Sequence, residues 1–195
     1  MKIATFFISL FLLQDAVFAQ HNPEGLFIHS KAPEFTINDQ NGNAISLKEL
    51  RKKGPVVIIF YEGYWNPFSR RQLKNWQDSI EMIKATGATL LAVSPENRSA
   101  VDSTISKTSA SFSIISDEGM RIADAYAVAY FADEKTLNRQ RNNGYDLLQI
   151  NNQRKVKLPV PAVYVIDAEG DVTFRYFDTN YRNRLSVKAL LQELH

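Results

Sequence analysis

The sequence predicts an α/β fold in which a mixed β-sheet is flanked by helices. Residues 56–61 and 89–93 are runs of β-branched and other apolar side chains, typical of strands buried on both faces of a sheet. Stretches with helical spacing alternate with these runs, which is the order of parallel strands joined by helical crossovers. Residues 162–166 and 172–177 flank the turn-forming segment 167–171 and predict an antiparallel hairpin.

In chain order, the first predicted elements are a flexible polar arm, a small hairpin and a short helix. The arm covers residues 20–30, and the hairpin turns at residues 39–43. The short helix opens at Ser46, where Glu49 has the spacing of a capping box, and it ends near Arg51.

The best-defined helix follows the strand at residues 56–61. Asn66 is a preferred N-cap residue, and Pro67 suits the first helical position because an N–H would have no partner there. Four apolar residues then recur at helical spacing on one face, namely Leu73, Trp76, Ile80 and Ile83. Gly87 ends this run.

Less regular elements complete the chain. The predicted order is a weak helix over residues 96–109, a strand at 112–115 and a helix from Asp117 to about residue 126. Residues 127–157 mix aromatic and polar side chains, and we interpret them as an insertion with partial helix. A last helix begins near Ser186.

Composition and charge exclude several classes of function. The 195 residues include 23 Lys and Arg against 21 Asp and Glu, which leaves a net charge of +2. No nucleic-acid partner is expected, because binding nucleic acid requires a concentrated cationic face. The sequence contains no cysteine, which excludes disulfides, thiolate metal sites, iron–sulfur clusters and thiol-based catalysis. No cofactor is implied, and the spacing of His21, His29 and His195 suggests no metal site.

Residues 1–19 have the features of a signal peptide. Lys2 supplies a positive start, residues 3–13 are almost continuously apolar, and Ala19 completes a small-residue cleavage pattern before Gln20. The apolar run is shorter than the roughly 20 residues that a membrane-spanning helix needs. We therefore expect export to the periplasm or the extracellular medium, with no stable membrane insertion after cleavage.

The turn at residues 62–69 is the strongest candidate for a binding site. It links the carboxyl end of a central strand to a helix N-terminus, where open α/β sheets bind their ligands. Free N–H groups and the helix dipole favour an anion there, and Arg70 and Arg71 lie in the same helical turn. An ordinary helix start, core aromatics and solvated arginines are the simpler interpretation. The candidate ligand-binding residues in this region are Gly63, Tyr64, Trp65, Asn66, Pro67, Phe68, Ser69 and Arg70.

Five segments make the sequence similar to the AhpC/TSA peroxiredoxin-like proteins of the thioredoxin superfamily. They are residues 32–35, 54–61, 63–73, 158–167 and 177–184. The typical active-site run of that family is Phe-Tyr-Arg-Gly, one variable residue, then Trp-Cys-Pro-Tyr/Phe-Cys, and residues 60–69 resemble it. The resemblance covers residues 31–195 and implies one thioredoxin-like redoxin domain, of the peroxiredoxin type, from a family of antioxidant oxidoreductases.

The sequence departs from this family at the reactive atoms. Asn66 and Ser69 stand at the two cysteine positions, and Glu62 replaces the usual arginine. A peroxidatic cysteine attacks peroxide as a thiolate and becomes a sulfenic acid. The amide of Asn66 neither ionises near neutral pH nor cycles between oxidation states, and a serine hydroxyl stays protonated without a nearby base. The family's thiol peroxidase activity therefore does not carry over, and no catalytic residue is assigned.

Pro161 resembles the cis-proline of the thioredoxin superfamily. In thioredoxins that proline faces the active-site turn, and the residue before it presents its backbone to an extended peptide substrate. The resemblance thus favours a cis bond between Val160 and Pro161, although cis occurs in only about 5–6% of X–Pro bonds in general. It also adds Val160 and Pro161 to the candidate ligand-binding residues.

Three functions remain open at this point, and so does the question of whether the chain is an enzyme. The favoured hypothesis is a non-catalytic, exported binding or scaffold protein, whose partner is an exported protein or peptide or a small anionic ligand. The second is a thiol-free enzyme that uses Glu62, Ser69 or Arg70 on an anionic ligand. In the third, Asn66 and Ser69 are recent or introduced replacements in an otherwise active peroxidase.

Overall fold

The computed structural model describes residues 22–194, so the predicted signal peptide, His21 and His195 lie outside the described residues. The strands are β1 (Thr36–Asn38), β2 (Ala44–Ser46), β3 (Val56–Phe60), β4 (Thr89–Ser94), β5 (Ser113–Ser116), β6 (Ala129–Phe131), β7 (Lys157–Pro159), β8 (Ala162–Ile166) and β9 (Val172–Phe177). The helices are α1 (Leu47–Arg51), α2 (Pro67–Asp78), α3 (Ile80–Ala85), α4 (Arg98–Thr108), α5 (Arg121–Ala125), α6 (Glu134–Asn142), α7 (Leu147–Ile150) and α8 (Val187–Gln192).

A mixed five-stranded sheet forms the centre of the fold, with the strand order β5-β4-β3-β8-β9. Strand β4 runs parallel to both β3 and β5, whereas β8 is antiparallel to both β3 and β9. Every residue of β3 is buried, as its apolar run predicts. The predicted α/β fold with a mixed sheet is confirmed.

Helices cover both faces of this sheet, and β3 shows how alternation along a strand places them. Val56, Ile58 and Phe60 point into one core with apolar residues of α1 and α5. Val57 and Ile59 point into the other core, which is filled by α2, α3, α4 and α8. A strand that is buried on both faces requires such a helical layer on each side.

Two helices differ from the sequence prediction in their extent. The run that was predicted to end at Gly87 breaks at Ser79 (φ −112°, ψ 14°), which separates α2 from α3. The N–H of Ser79 donates to the carbonyl of Trp76 at 3.2 Å, so α2 closes with a tight turn. Helix α4 begins at Arg98 and not at residue 96, because Asn97 is its N-cap.

The helix that was expected to start at Asp117 is shorter as well. Met120 takes the N-cap position of α5 in the left-handed conformation (φ 55°). Asp117 still caps this helix from three residues further back, because its carboxylate accepts from the N–H groups of Ile122 at 3.2 Å and Ala123 at 2.9 Å. The expected capping chemistry is therefore present, with a turn inserted between the cap and the helix.

Residues 127–157 contribute β6, α6 and α7, and β6 pairs with β7 in a separate two-stranded sheet. Together with β7 they form a third, smaller apolar cluster against Trp65, made of Leu147, Val156 and Leu158. This cluster packs on one side of the turn that follows β3. The irregular segment of the sequence thus supports the candidate site.

The described part of the predicted arm, residues 22–30, lies against the sheet. The N–H of Leu26 donates to the Tyr164 hydroxyl at 3.0 Å, and that of His29 donates to the Val172 carbonyl at 2.8 Å. The division of the chain into signal peptide, flexible arm and domain stays a prediction. Within residues 22–194, no helix is both long and apolar enough to cross a bilayer.

Candidate functional site

The turn between β3 and α2 is built from a glycine and a capped helix start. Gly63 has φ +141°, and a Cβ added there would lie 2.6 Å from Nε1 of Trp65, so only glycine fits without a shift. Asn66 is the N-cap of α2, with its Oδ1 accepting from the N–H of Phe68 at 2.9 Å, and Pro67 is the first helical residue. The predicted helix start is confirmed.

The carboxylate of Glu62 lies at the centre of this turn. The residue is only 2% exposed. Its Oε2 accepts from the hydroxyl of Ser69 at 2.7 Å, and its Oε1 accepts from Nδ2 of Asn66 at 2.9 Å. The three positions at which the sequence departs from the family's active-site run are therefore joined by hydrogen bonds in one buried cluster.

Arg184 completes this cluster from the other end of the chain. Its Nη2 donates to both oxygens of Glu62, at 2.9 and 3.1 Å, and its side chain is only 9% exposed. The two residues are 122 positions apart, so no local pattern in the sequence could have paired them. We refer to Glu62, Asn66, Ser69 and Arg184 as the Glu62 cluster.

Burial and hydrogen bonding act in opposite directions on Glu62. Burial is the largest influence and raises the pKa of the Glu62 carboxyl, whereas the charge of Arg184 and the hydrogen bond from Ser69 lower it. All of its side-chain partners donate to it, which favours the ionised form. The Glu62 cluster is thus an anion site that is filled by the protein's own carboxylate.

A second buried carboxyl, that of Glu96, holds the turn from the opposite side. Its Oε1 accepts from the N–H of Tyr64 at 2.6 Å. Its Oε2 accepts from the hydroxyls of Tyr61 at 2.8 Å, Thr104 at 2.8 Å and Ser94 at 3.2 Å. Burial raises the pKa of Glu96, and these hydrogen bonds oppose the rise. Sequence reasoning missed this role, because Glu96 was interpreted only as the start of a helix.

Most of the predicted ligand-binding residues are buried. The buried ones are Gly63, Trp65, Asn66, Ser69, Val160 and Pro161. Tyr64, Phe68 and Arg70 are half-buried, and Pro67 is exposed. Direct contact between a ligand and this turn is therefore limited to those last four residues.

The aromatic residues of the turn have separate partners. Trp65 belongs to the third apolar cluster, which confirms the core interpretation for this residue. The ring of Tyr64 meets Tyr145 edge-on at 5.8 Å, and the ring of Phe68 meets Tyr181 at 5.9 Å. The aromatic side chains thus tie the turn to the insertion on one side and to the closing segment on the other.

The two arginines of the first helical turn also have different contacts. Arg70 donates through Nη1 to the carbonyl of Tyr64, so its guanidinium stabilises the turn itself. Arg71 is exposed, and its guanidinium lies over the ring of Phe68 at 5.3 Å. Of the two, only Arg71 presents its guanidinium at an open surface.

The bond between Val160 and Pro161 is trans, because no peptide bond among residues 22–194 is cis. The cis bond that the resemblance favoured is therefore wrong for this chain. Backbone bonds hold this stretch extended between β7 and β8. The N–H of Val160 donates to the Val128 carbonyl at 2.8 Å, and the Pro161 carbonyl accepts from the backbone N–H of Asp178 at 3.3 Å.

The described range offers no group of three or more His, Asp or Glu side chains that could hold a metal ion. His29, the one histidine in that range, is exposed on the arm. The charged side chains at the turn are the carboxyls of Glu62 and Glu96 and the guanidinium groups of Arg70 and Arg184.

Comparison with known proteins decides the family. The sequence matches the AhpC/TSA family over residues 28–175. The chain belongs to this family. That range includes Glu62, Asn66 and Ser69 but not Arg184.

Curated proteins similar to this chain include peroxiredoxins Q. The chain is 32% identical over 99 residues to a putative chloroplastic peroxiredoxin Q of Oryza sativa subsp. indica. It is 33% identical over 99 residues to the chloroplastic peroxiredoxin Q of Gentiana triflora. Each match covers 51% of this chain and 45% of the relative, so the chain spans less than half the length of these proteins.

Solved structures support the thioredoxin-like fold over most of the chain. The peroxidoxin BcpB of Mycobacterium tuberculosis has a TM-score of 0.65 at 16% identity, covering 86% of this chain and 95% of that one. A peroxiredoxin Q of Xanthomonas campestris has a TM-score of 0.62 at 16% identity, covering 82% and 89%. The resemblance to the peroxiredoxin-like proteins of the thioredoxin superfamily is thus confirmed.

Proposed function

We propose that this AhpC/TSA protein has no thiol peroxidase activity and acts by binding a partner. One observation carries the proposal: a carboxylate, that of Glu62, fills the site where the family's active-site run places its cysteines. Asn66 and Ser69 occupy the cysteine positions, and both donate to this carboxylate. The sequence contains no thiol that could replace them.

Peroxide consumption tests the first half of this proposal. The purified protein is mixed with hydrogen peroxide and dithiothreitol, and the loss of peroxide is compared with that in buffer alone. We expect equal rates, because no side chain of the protein can form the sulfenic acid that the family's chemistry needs. Turnover that depends on protein concentration would contradict the proposal.

A thiol-free enzyme is the weaker alternative. Ser69, one of its three candidate residues, is fully buried, and its hydroxyl donates a hydrogen bond to Glu62. That carboxylate is also held in a two-pronged contact by Arg184, so it is already engaged by a cation. Arg70 is engaged with the backbone of Tyr64. None of the three residues is free to act on an anionic ligand.

The third hypothesis, a peroxidase with two replaced cysteines, has a direct test. The variant Asn66→Cys/Ser69→Cys restores both thiols, with Asn66→Ala/Ser69→Ala as the matched control for disturbed packing. We expect at most weak peroxidase activity, because Glu62 still neutralises Arg184 and places a negative charge beside the new thiols. Activity comparable with that of a peroxiredoxin would favour the third hypothesis.

We also propose that the protein is exported to the periplasm or the extracellular medium. This proposal rests on the positive start, short apolar run and small-residue cleavage pattern of residues 1–19. Mass spectrometry of the protein recovered from its native host tests it. We expect a mature N-terminus at Gln20 in the exported fraction, and an intact leader on a cytoplasmic protein would contradict the proposal.

A further inference from the structure

A groove runs along α2 on the side that faces the closing segment of the chain. One wall is α2, and the other is formed by residues 176–187, which include the end of β9 and the start of α8. The groove encloses about 940 Å³. Trp76 and Leu185 form part of its lining, and the indole Nε1 of Trp76 donates to the Leu185 carbonyl at 3.4 Å.

Two residues that line this groove have polar atoms without a hydrogen-bond partner in the described part of the protein. They are Oε1 of Gln72, an acceptor on a residue that is only 5% exposed, and Nε of Arg184, a donor. Leaving a buried polar group unpaired costs free energy, so such atoms call for an explanation. Both atoms have almost no accessible surface, so a peptide group in the groove can pair with them only after the side chains of Gln72 and Arg184 shift toward it.

Arg71 and Arg182 line the groove, and Arg139 lies beside it without being part of its lining. Three guanidinium groups lie around the aromatic pair of Phe68 and Tyr181. Arg71 is 5.3 Å from the Phe68 ring, whereas Arg139 and Arg182 are 5.7 and 5.6 Å from the Tyr181 ring. All three arginines are exposed. No acidic side chain within residues 22–194 is in an ion pair with any of them, and we call them the arginine cluster.

The acidic side chains of the groove lie in other contacts. Asp78 pairs with Lys74 of its own helix at 3.0 Å. Asp178 accepts from the N–H of Asn180 and from Nδ2 of Asn183, both at 2.8 Å. The arginine cluster is thus free to attract acidic groups from another molecule.

The dimensions indicate an extended occupant. Helix α2 has 12 residues, which corresponds to a length of about 18 Å at about 1.5 Å per residue. An extended peptide rises about 3.3 Å per residue, so about five residues cover this length.

We propose that this groove binds an extended, acidic segment of a partner protein. An acidic side chain of the segment lies on the arginine cluster, and a peptide group pairs with Gln72 and Arg184. The inference rests on the proposed binding function, and it moves the contact surface from the largely buried turn at residues 62–69 to the open groove beside it.

The probe is a library of random heptapeptides displayed on phage and selected on the purified wild-type protein. We expect the enriched peptides to be rich in Asp and Glu. Selection of no sequence, or of basic or purely apolar ones, overturns the proposal. A protein that is dimeric in solution and dissociates when the peptide binds would reveal a second copy of this chain as the occupant and would overturn the proposal as well.

The two tryptophans report where a selected peptide binds. The sequence contains only Trp65 and Trp76, so the indole N–H region of a ¹H–¹⁵N spectrum has two signals. Trp76 lines the groove, whereas Trp65 is packed in the third apolar cluster. We expect the peptide to shift the Trp76 signal and to leave that of Trp65 in place. A shift of Trp65 alone would place binding at the turn and overturn the assignment to the groove.

Charge variants test the arginine cluster. Arg71→Gln/Arg182→Gln should weaken peptide binding by about tenfold, since two ion pairs at the surface are lost. Arg98→Gln/Arg154→Gln removes the same charge away from the groove and should leave the affinity unchanged. Equal effects of the two double variants on the affinity would contradict a specific role for the arginine cluster.

Gln72→Met separates a binding role from a structural one. The substitution removes the unpaired acceptor and keeps the size of the side chain, so the melting temperature should stay the same or rise. The affinity for the peptide should fall by about tenfold. Unchanged affinity would overturn the role of Gln72. The peroxide assay tests only the proposed absence of thiol peroxidase activity. The binding measurements do not depend on the result of that assay.

Discussion

The interaction between Glu62 and Arg184 carries the most quantitative prediction. Glu62→Ala removes at once the acceptor of Asn66, Ser69 and the Arg184 guanidinium. Because the Arg184 side chain is only 9% exposed, its charge would then stay buried without its carboxylate. Breaking a buried ion pair from one side costs about 3–5 kcal/mol. We expect urea unfolding near neutral pH to show a loss of this size, with an unchanged dependence on urea concentration.

Three further variants isolate the cause. Glu62→Gln keeps the shape and one acceptor but removes the charge, so we expect a smaller loss of about 1–3 kcal/mol. Glu62→Leu/Arg184→Leu removes both charges and should be more stable than Glu62→Ala, because no unpaired charge stays buried. Glu81→Ala is the matched control, since its carboxylate forms an ion pair with Lys84 on an exposed helix face and should contribute little.

The same reasoning predicts that an added carboxylate rescues the alanine variant. Formate or acetate can enter the space left by Glu62 and accept from Arg184, so either salt should raise the melting temperature of Glu62→Ala. Chloride at the same ionic strength should do so less, and the wild type should not respond. A loss of stability below about 1 kcal/mol in Glu62→Ala would refute the account of a buried ion pair.

Two further predictions concern thiol reactivity and pH. In Asn66→Cys, the charge of Glu62 should hold the pKa of the new thiol above the pKa of the same thiol in Asn66→Cys/Glu62→Gln. The pH dependence of labelling by iodoacetamide measures both pKa values. Equal values would contradict the role of Glu62. Because burial raises the pKa of Glu96 in the folded state, this carboxyl favours folding at acidic pH and loses that contribution as the pH rises. In urea unfolding, Glu96→Gln should therefore become more stable relative to the wild type as the pH rises above about 4, where an ordinary glutamate ionises. The opposite trend would contradict the sign.

Much of the fold could be predicted because its signals are local. The apolar run of β3 predicts a buried strand, and Asn66 and Pro67 predict the start of α2. The break at Ser79 could not be predicted in the same way, because the apolar spacing of Trp76, Ile80 and Ile83 continues across it. Periodicity records which face is buried but not whether the backbone turns between two buried residues.

The candidate site was located correctly in the chain, but its central interactions are not local. The contact of Glu62 with Arg184 joins residues 122 positions apart in the sequence. The contact of Glu96 with Tyr64 joins residues 32 positions apart. Both carboxyls are buried, whereas an unpaired acidic residue is expected at the surface from sequence alone. The cis bond at Pro161 was expected from the resemblance alone, and the structure has the trans isomer that most X–Pro bonds adopt.

The central claim is that this AhpC/TSA chain retains the peroxiredoxin fold without its thiol chemistry. The most direct measurement is the initial rate of hydroperoxide reduction by the unmodified protein, freed of metals by a chelator, with hydrogen peroxide and cumene hydroperoxide in turn. The account predicts rates equal to those of buffer with reductant at every protein concentration. A rate that increases in proportion to the concentration of protein would contradict it.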